Sequence, residues 1–176
     1  MYGFSLQVIL PSLEELNLRD LRNMKKLWAD HNQGMSCCQN LTKLHVSSCH
    51  RMKYLFSYSM VNSLLQLQHL EISYCWLMEG VVNTTGWSER DEGHIHFPKL
   101  HSLRLEGLPE LTSFANTGHI HSDLVVEFPS LLNLEIGNCS NMLRFISTSS
   151  PEDTIHSEMQ PPPLFDEKVS FFNKKN

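Results

Sequence analysis

Five times between Leu13 and Phe145 the chain repeats one fifteen-residue pattern, L-x-x-L-x-(L/I/V)-x-x-(C/L)-x-x-(M/L)-x-x-(L/V/F). The copies are LEELNLRDLRNMKKL from Leu13, LTKLHVSSCHRMKYL from Leu41, LQHLEISYCWLMEGV from Leu67, LHSLRLEGLPELTSF from Leu100 and LLNLEIGNCSNMLRF from Leu131. Six apolar slots hold in every copy, and the starts lie roughly 26 to 33 residues apart. A unit this short cannot bury its own apolar face, so the five must stack and share a core.

Within each copy, alternation places two apolar residues inward and their neighbours outward, as a short strand requires: Leu16 and Leu18, Leu44 and Val46, Leu70 and Ile72, Leu103 and Leu105, Leu134 and Ile136. Apolar residues three apart follow, as in Cys49, Met52 and Leu55, and predict a tight 3₁₀-like return. Period and pattern together read as a leucine-rich repeat. The expected fold is α/β: a horseshoe solenoid of about five repeats, with a parallel concave β-sheet and a mostly irregular convex side. Of the connectors, only the stretch from Phe56 to Gln66 has helix-compatible apolar spacing, which predicts one short helix there. Leu10-Pro11, Phe97-Pro98 and Phe128-Pro129 each introduce a repeat, where Pro suits the start of a strand.

The pattern assigns residues 1–146 to the repeat domain and 147–176 to a flexible, Pro-rich tail, in which VSFFNKKN reads as the opening of an incomplete sixth repeat. Neither end shows a polar cap. A buried Leu contributes roughly 1.5–3 kcal/mol against roughly 1–2 kcal/mol of backbone entropy for every ordered residue. An uncapped array is therefore expected to be marginal alone, and to be a segment of a longer protein or a truncated, non-signalling gene product.

A formal net charge of -5 gives no broad basic footprint for a phosphate backbone, so no nucleic-acid partner is expected. The N-terminus lacks a basic leader, and Pro11, Glu14 and Glu15 break its apolar run, which predicts no membrane insertion and a cytoplasmic or nuclear setting. The five cysteines are odd in number and scattered, as reduced thiols are. Cys49, Cys75 and Cys139 fill the slot that Leu21 and Leu108 fill in the other copies, so they read as packing residues, with a weak S–H donor for a backbone carbonyl. Adjacent Cys37 and Cys38 lack the gap of a zinc knuckle.

The His pairs His94/His96 and His119/His121 would each face one way on a strand, which opens a rival reading as a metal-dependent enzyme. No carboxylate or Cys partner stands at ligand spacing, and no nucleophile elbow, phosphate-binding loop or dinucleotide fingerprint occurs. The chain is expected to be non-enzymatic, with no catalytic, cofactor-binding or metal residues. What remains is the surface of the concave sheet. Its outward positions form the columns Glu15, Lys43, His69, Ser102, Asn133 and Asn17, His45, Glu71, Arg104, Glu135, the candidate binding face. The plainer alternative is that Glu71, Arg104 and Glu135 form only a cross-strand charge ladder.

The string FPxLxxLxLxxLPxLxxF at Phe97–Phe114, with LEIxxCxxM at Leu70–Met78 and Leu134–Met142, resembles the C-terminal leucine-rich repeats of plant intracellular nucleotide-binding disease-resistance proteins, particularly the coiled-coil class. The resemblance implies a role in innate immunity. It implies protein partners: a pathogen effector, a modified host protein, or the receptor's own nucleotide-binding domain, whose switch the repeats restrain. ADP or ATP would belong to that nucleotide-binding module, which these residues do not contain, so no cofactor is expected here. Substrate adaptors of ubiquitin ligases carry similar repeats and form the alternative within binding modules.

Overall fold

The computed structural model describes residues 12–27, 38–84, 93–116, 124–142, 144–147 and 169–170. Each copy of the pattern forms one strand on the same face: β1 (Glu15–Arg19), β2 (Lys43–Ser47), β4 (His69–Ser73), β7 (Ser102–Glu106) and β10 (Asn133–Gly137). They pair in parallel in the order β1-β2-β4-β7-β10, with the repeat positions in exact one-to-one register, as in Leu16↔Leu44↔Leu70↔Leu103↔Leu134. A slip of one residue would turn the inward leucines to solvent, so the alternation itself sets this register.

Each of these strands ends at a left-handed residue: Asp20, Ser48, Tyr74, Gly107 and Asn138, with φ between 52° and 63°. In this conformation the N–H of Asp20 donates to Ser47, Ser48 to Ser73, Tyr74 to Glu106 and Gly107 to Gly137, extending the ladder by one bond before the chain turns. The three-residue apolar spacing then becomes a tight turn in all five coils. Met24 N–H donates to Leu21, Met52 to Cys49, Met78 to Cys75, Leu111 to Leu108 and Met142 to Cys139.

The return path is more regular than the connectors suggested. A second parallel ladder has the order β11-β8-β5-β3, from β3 (Tyr54–Ser57), β5 (Gly80–Asn83), β8 (Ser113–Asn116) and β11 (Ile146–Ser147). A third has the order β12-β9-β6, from β6 (His94–His96), β9 (Val125–Glu127) and β12 (Val169–Ser170). Strands of three or four residues carry too little alternation to stand out in a sequence, but stacked coils satisfy their backbone groups from above and below. The expected helix is present as a single turn, α1 (Tyr58–Val61), with Met60 and Val61 buried. Pro98 and Pro129 stand in tight turns closed by Leu100 N–H to Phe97 and Leu131 N–H to Phe128, one corner earlier than the concave strands. Pro at the second position of such a turn has its φ already set.

Every apolar slot of the three inner coils is buried, from Leu41 to Leu55, Leu67 to Val81 and Leu100 to Phe114. In the outer coils the same slots are less covered: Leu16, Leu134 and Ile136 are half-buried and Leu21 is 37% exposed. A terminal coil has one neighbour where an inner coil has two. Five phenylalanines fill the centre. Phe97 stacks on Phe128 with centroids 5.5 Å apart, Phe114 stacks on Phe145 at 4.8 Å, and the two columns meet edge-to-face, Phe114 to Phe128 at 5.5 Å.

Among these apolar groups sits Ser113, fully buried, its hydroxyl without a partner among the described residues. An orphaned hydroxyl carries its desolvation penalty uncompensated. Ser113→Ala is therefore expected to raise stability by about 1 kcal/mol, read as a higher denaturation midpoint at unchanged m-value. An unchanged or lower midpoint would show that the hydroxyl is satisfied.

Candidate protein-binding face

The first column of predicted surface residues, Glu15, Lys43, His69, Ser102 and Asn133, is paired residue to residue across β1, β2, β4, β7 and β10. Asn17, His45, Glu71, Arg104 and Glu135 form the second column in the same register. All ten therefore lie on one sheet face, because residues two apart on a strand share a side. A hollow of about 360 Å³ opens among them, with Lys43, His45, His69, Glu71, Arg104 and Glu135 in its lining.

Charge alternates over Glu71, Arg104 and Glu135 in the second column, with the His45 ring on the other side of Glu71. Glu71 lies 3.9 Å from His45 and 4.0 Å from Arg104, and Arg104 Nε lies 3.5 Å from Glu135. The charge ladder therefore exists, with loose geometry, and the Arg104 and Glu135 side chains remain 47% and 53% exposed. Exposed pairs of this kind contribute about 0.2–1 kcal/mol, so the row is held too weakly to be explained as a stability device. Lys43 Nζ donates to Glu15 at 2.5 Å, and Asn133 Nδ2 donates to Glu135 at 3.1 Å.

The thiols sit elsewhere. Cys49 donates to the carbonyl of Ser47 at 3.5 Å, Cys75 to Ser73 at 3.4 Å and Cys139 to Gly137 at 3.3 Å, the same bond in three coils. Cys75 is pushed far above the ordinary thiol range, first by its hydrogen bond with Cys49 and then by burial, and burial likewise raises Cys139. The contact with Cys75 lowers Cys49 to about 7, yet its side chain is fully buried and out of reach of any substrate. These are packing groups that also satisfy carbonyls at the turn.

His94 and His96 do face one way on β6, around buried Ile95, but His96 Nδ1 is engaged by Glu127 at 2.8 Å. Among the described residues no group of three or more His, Cys, Asp or Glu is placed to hold a metal ion. His119, His121 and Cys37 lie outside the described residues. No helix among the described residues is long and apolar enough to cross a membrane.

Two surface features escaped the sequence reading. A cleft of about 550 Å³ runs along β3 on the flank of the solenoid, with Lys25, Lys26, Arg51 and Lys53 on its rim. The readable signal was basic residues recurring beside the Met slot, in MKKL and RMKYL. Beside it stands Trp76, 57% exposed and stacked on His50 at 4.1 Å.

The profile of a family described as plant disease resistance protein RPS2-like, leucine-rich repeats, matches residues 4–76. A probable disease resistance protein of Arabidopsis thaliana is 30% identical over 135 residues, which cover 76% of this chain and 14% of that protein. The chain thus spans a small part of the length of this relative. No solved structure gives a significant match. With five parallel coils built on one leucine-rich repeat, and with these two matches, the chain belongs to the leucine-rich-repeat regions of plant disease-resistance proteins.

Proposed function

We propose that the chain is a non-catalytic recognition module of a plant immune receptor, working in the cytoplasm. Its concave face engages a pathogen effector, a modified host protein or the receptor's own nucleotide-binding module. The carrying observation is the in-register row of polar and charged residues His45, Glu71, Arg104, Glu135 around a hollow on an otherwise regular sheet. Loose, half-exposed ion pairs can be exchanged for pairs with a partner at little net cost, and alternating charge gives register and specificity to the encounter. The name of the Arabidopsis relative supports the disease-resistance setting.

The test is proximity labelling in plant cells, with this chain grafted in place of the matching segment of that relative. Arg104→Glu is expected to cut capture of the principal protein partner about tenfold, because it sets three carboxylates side by side at the partner's contact point. Circular dichroism should show an intact fold, since the side chain is half exposed. Unchanged capture at intact fold would move recognition off the concave face.

A further inference from the structure

Just past the concave sheet the third coil departs from the other four. β4 is followed by Tyr74, Trp76 and Leu77, which are 52%, 57% and 49% exposed around the buried Cys75. In the other coils the Trp76 slot holds Arg22, His50, Pro109 and Ser140, and the Leu77 slot holds Asn23, Arg51, Glu110 and Asn141. None of these presents a large apolar side chain. This stretch is described in every coil, over residues 19–27, 47–53, 73–79, 106–112 and 137–142, with the same left-handed residue and the same tight turn. The contrast is therefore one of side chains on a repeated backbone.

Folding does not call for these three side chains. Tyr74 has φ 53°, in a slot that Asp20, Ser48, Gly107 and Asn138 fill elsewhere, and a bulky residue rarely adopts that conformation. Its ring lies over Gly107, where a Cβ would stand 2.6 Å away, so the next coil leaves it room. Trp76 stacks on His50 at 4.1 Å, and the His50 Nδ1 is buried without a partner among the described residues. Strain and an orphaned nitrogen are thus retained around rings that stay half in water, which is a mark of recognition rather than of packing. Two held aromatic side chains have the composition of an interface anchor.

The ledge continues the concave face. Tyr74 N–H donates to the Glu106 carbonyl, which carries the ladder of that sheet into it, and Glu71 lies three residues earlier, about 10 Å along the strand. The two concave columns hold no apolar side chain, whereas a protein interface has an apolar centre within a polar surround. We propose that Tyr74, Trp76 and Leu77 are the apolar anchor site of the concave binding face. They take one large apolar side chain from the same protein partner whose polar groups meet Glu71 and Arg104. This rests on the concave face being the recognition surface.

The probe is a phage-displayed library of random peptides selected on the full chain, the most enriched peptide then being labelled with fluorescein and followed by anisotropy. Enriched peptides are expected to carry a Trp, Phe, Leu or Met together with charged residues. Trp76→Ala and Tyr74→Asn should each weaken binding about tenfold, and Arg104→Glu at least about fivefold. Asn already fills this slot at Asn138, so Tyr74→Asn should leave the denaturation midpoint unchanged or higher. A lower midpoint would make the ring a packing group and overturn the proposal. Loss with Arg104→Glu but not with the ledge variants would remove the anchor and leave the concave face standing. Loss with the ledge variants but not with Arg104→Glu would detach the ledge from that face, overturning the joint site. Enrichment of peptides without a large apolar residue, or no enrichment, would also overturn it. So would a free chain that sediments as a dimer and becomes monomeric with Trp76→Arg, which would put a second copy on the ledge.

Discussion

Phe114→Ala is expected to lower stability by about 3–5 kcal/mol, a large share of the whole for a domain of this size. Phe114 is fully buried where the two aromatic columns cross, stacked on Phe145 and edge-on to Phe97 and Phe128. It joins two coils through their backbones as well, since its N–H donates to the carbonyl of Phe145. Truncation would leave a cavity that rigid ladders on three sides cannot collapse into, which puts the loss at the upper end for this chemistry. Leu132, 83% exposed, supplies the comparison: Leu132→Ala should change stability by less than about 0.5 kcal/mol. Urea denaturation of both variants decides the matter, and a loss below about 1.5 kcal/mol for Phe114→Ala would contradict the aromatic centre described here.

Gly107→Ala should lower stability by about 1–3 kcal/mol, for a reason that backbone conformation alone does not supply. Four residues with side chains, Asp20, Ser48, Tyr74 and Asn138, occupy the same left-handed slot in the other coils. Position 107 differs because a Cβ there would lie 2.6 Å from the Tyr74 ring, which crosses it from the preceding coil. The two positions must then be coupled. In a Tyr74→Ala background the Gly107→Ala loss should fall to about 1 kcal/mol, the part belonging to the left-handed backbone. Equal losses in both backgrounds, measured by the same denaturation, would remove the ring from the explanation.

These two positions also mark how far the sequence could be read. The concave strands, their register and the burial of the inner coils were legible because Leu70, Ile72, Cys75 and Met78 recur at fixed spacing, and a repeat averages away local ambiguity. Phe97-Pro98 and Phe128-Pro129 were visible as a recurring pair, but their crossing with Phe114 and Phe145 depends on how far apart the corners of one coil lie, which no spacing encodes. The left-handed column was hidden because Asp, Ser, Tyr, Gly and Asn share no side-chain property; only the ladder bond beyond each strand unites them. The ten concave residues were identified by alternation alone, so their alignment could be read, whereas the hollow among them and the distances between their charges could not. The basic cleft was missed for a related reason. Lys25, Lys26, Arg51 and Lys53 are 25 or more residues apart from one coil to the next in places and meet only when the coils stack.

The central claim is that five coils stack in register and present one continuous row of polar residues on the concave side. Engineered disulfides test it most directly. Adjacent strands stand about 4.8 Å apart, within the roughly 4.4–6.8 Å Cα separation that a disulfide bridges, whereas a shift of two residues carries the pair beyond about 7 Å. The His69→Cys/Ser102→Cys pair, directly opposite on β4 and β7, should therefore cross-link on mild oxidation, and His69→Cys/Arg104→Cys should not, as read by mass spectrometry of the digested chain. Cross-linking of the offset pair in place of the opposed one would break the register, and with it the binding face built on Glu71, Arg104 and Glu135.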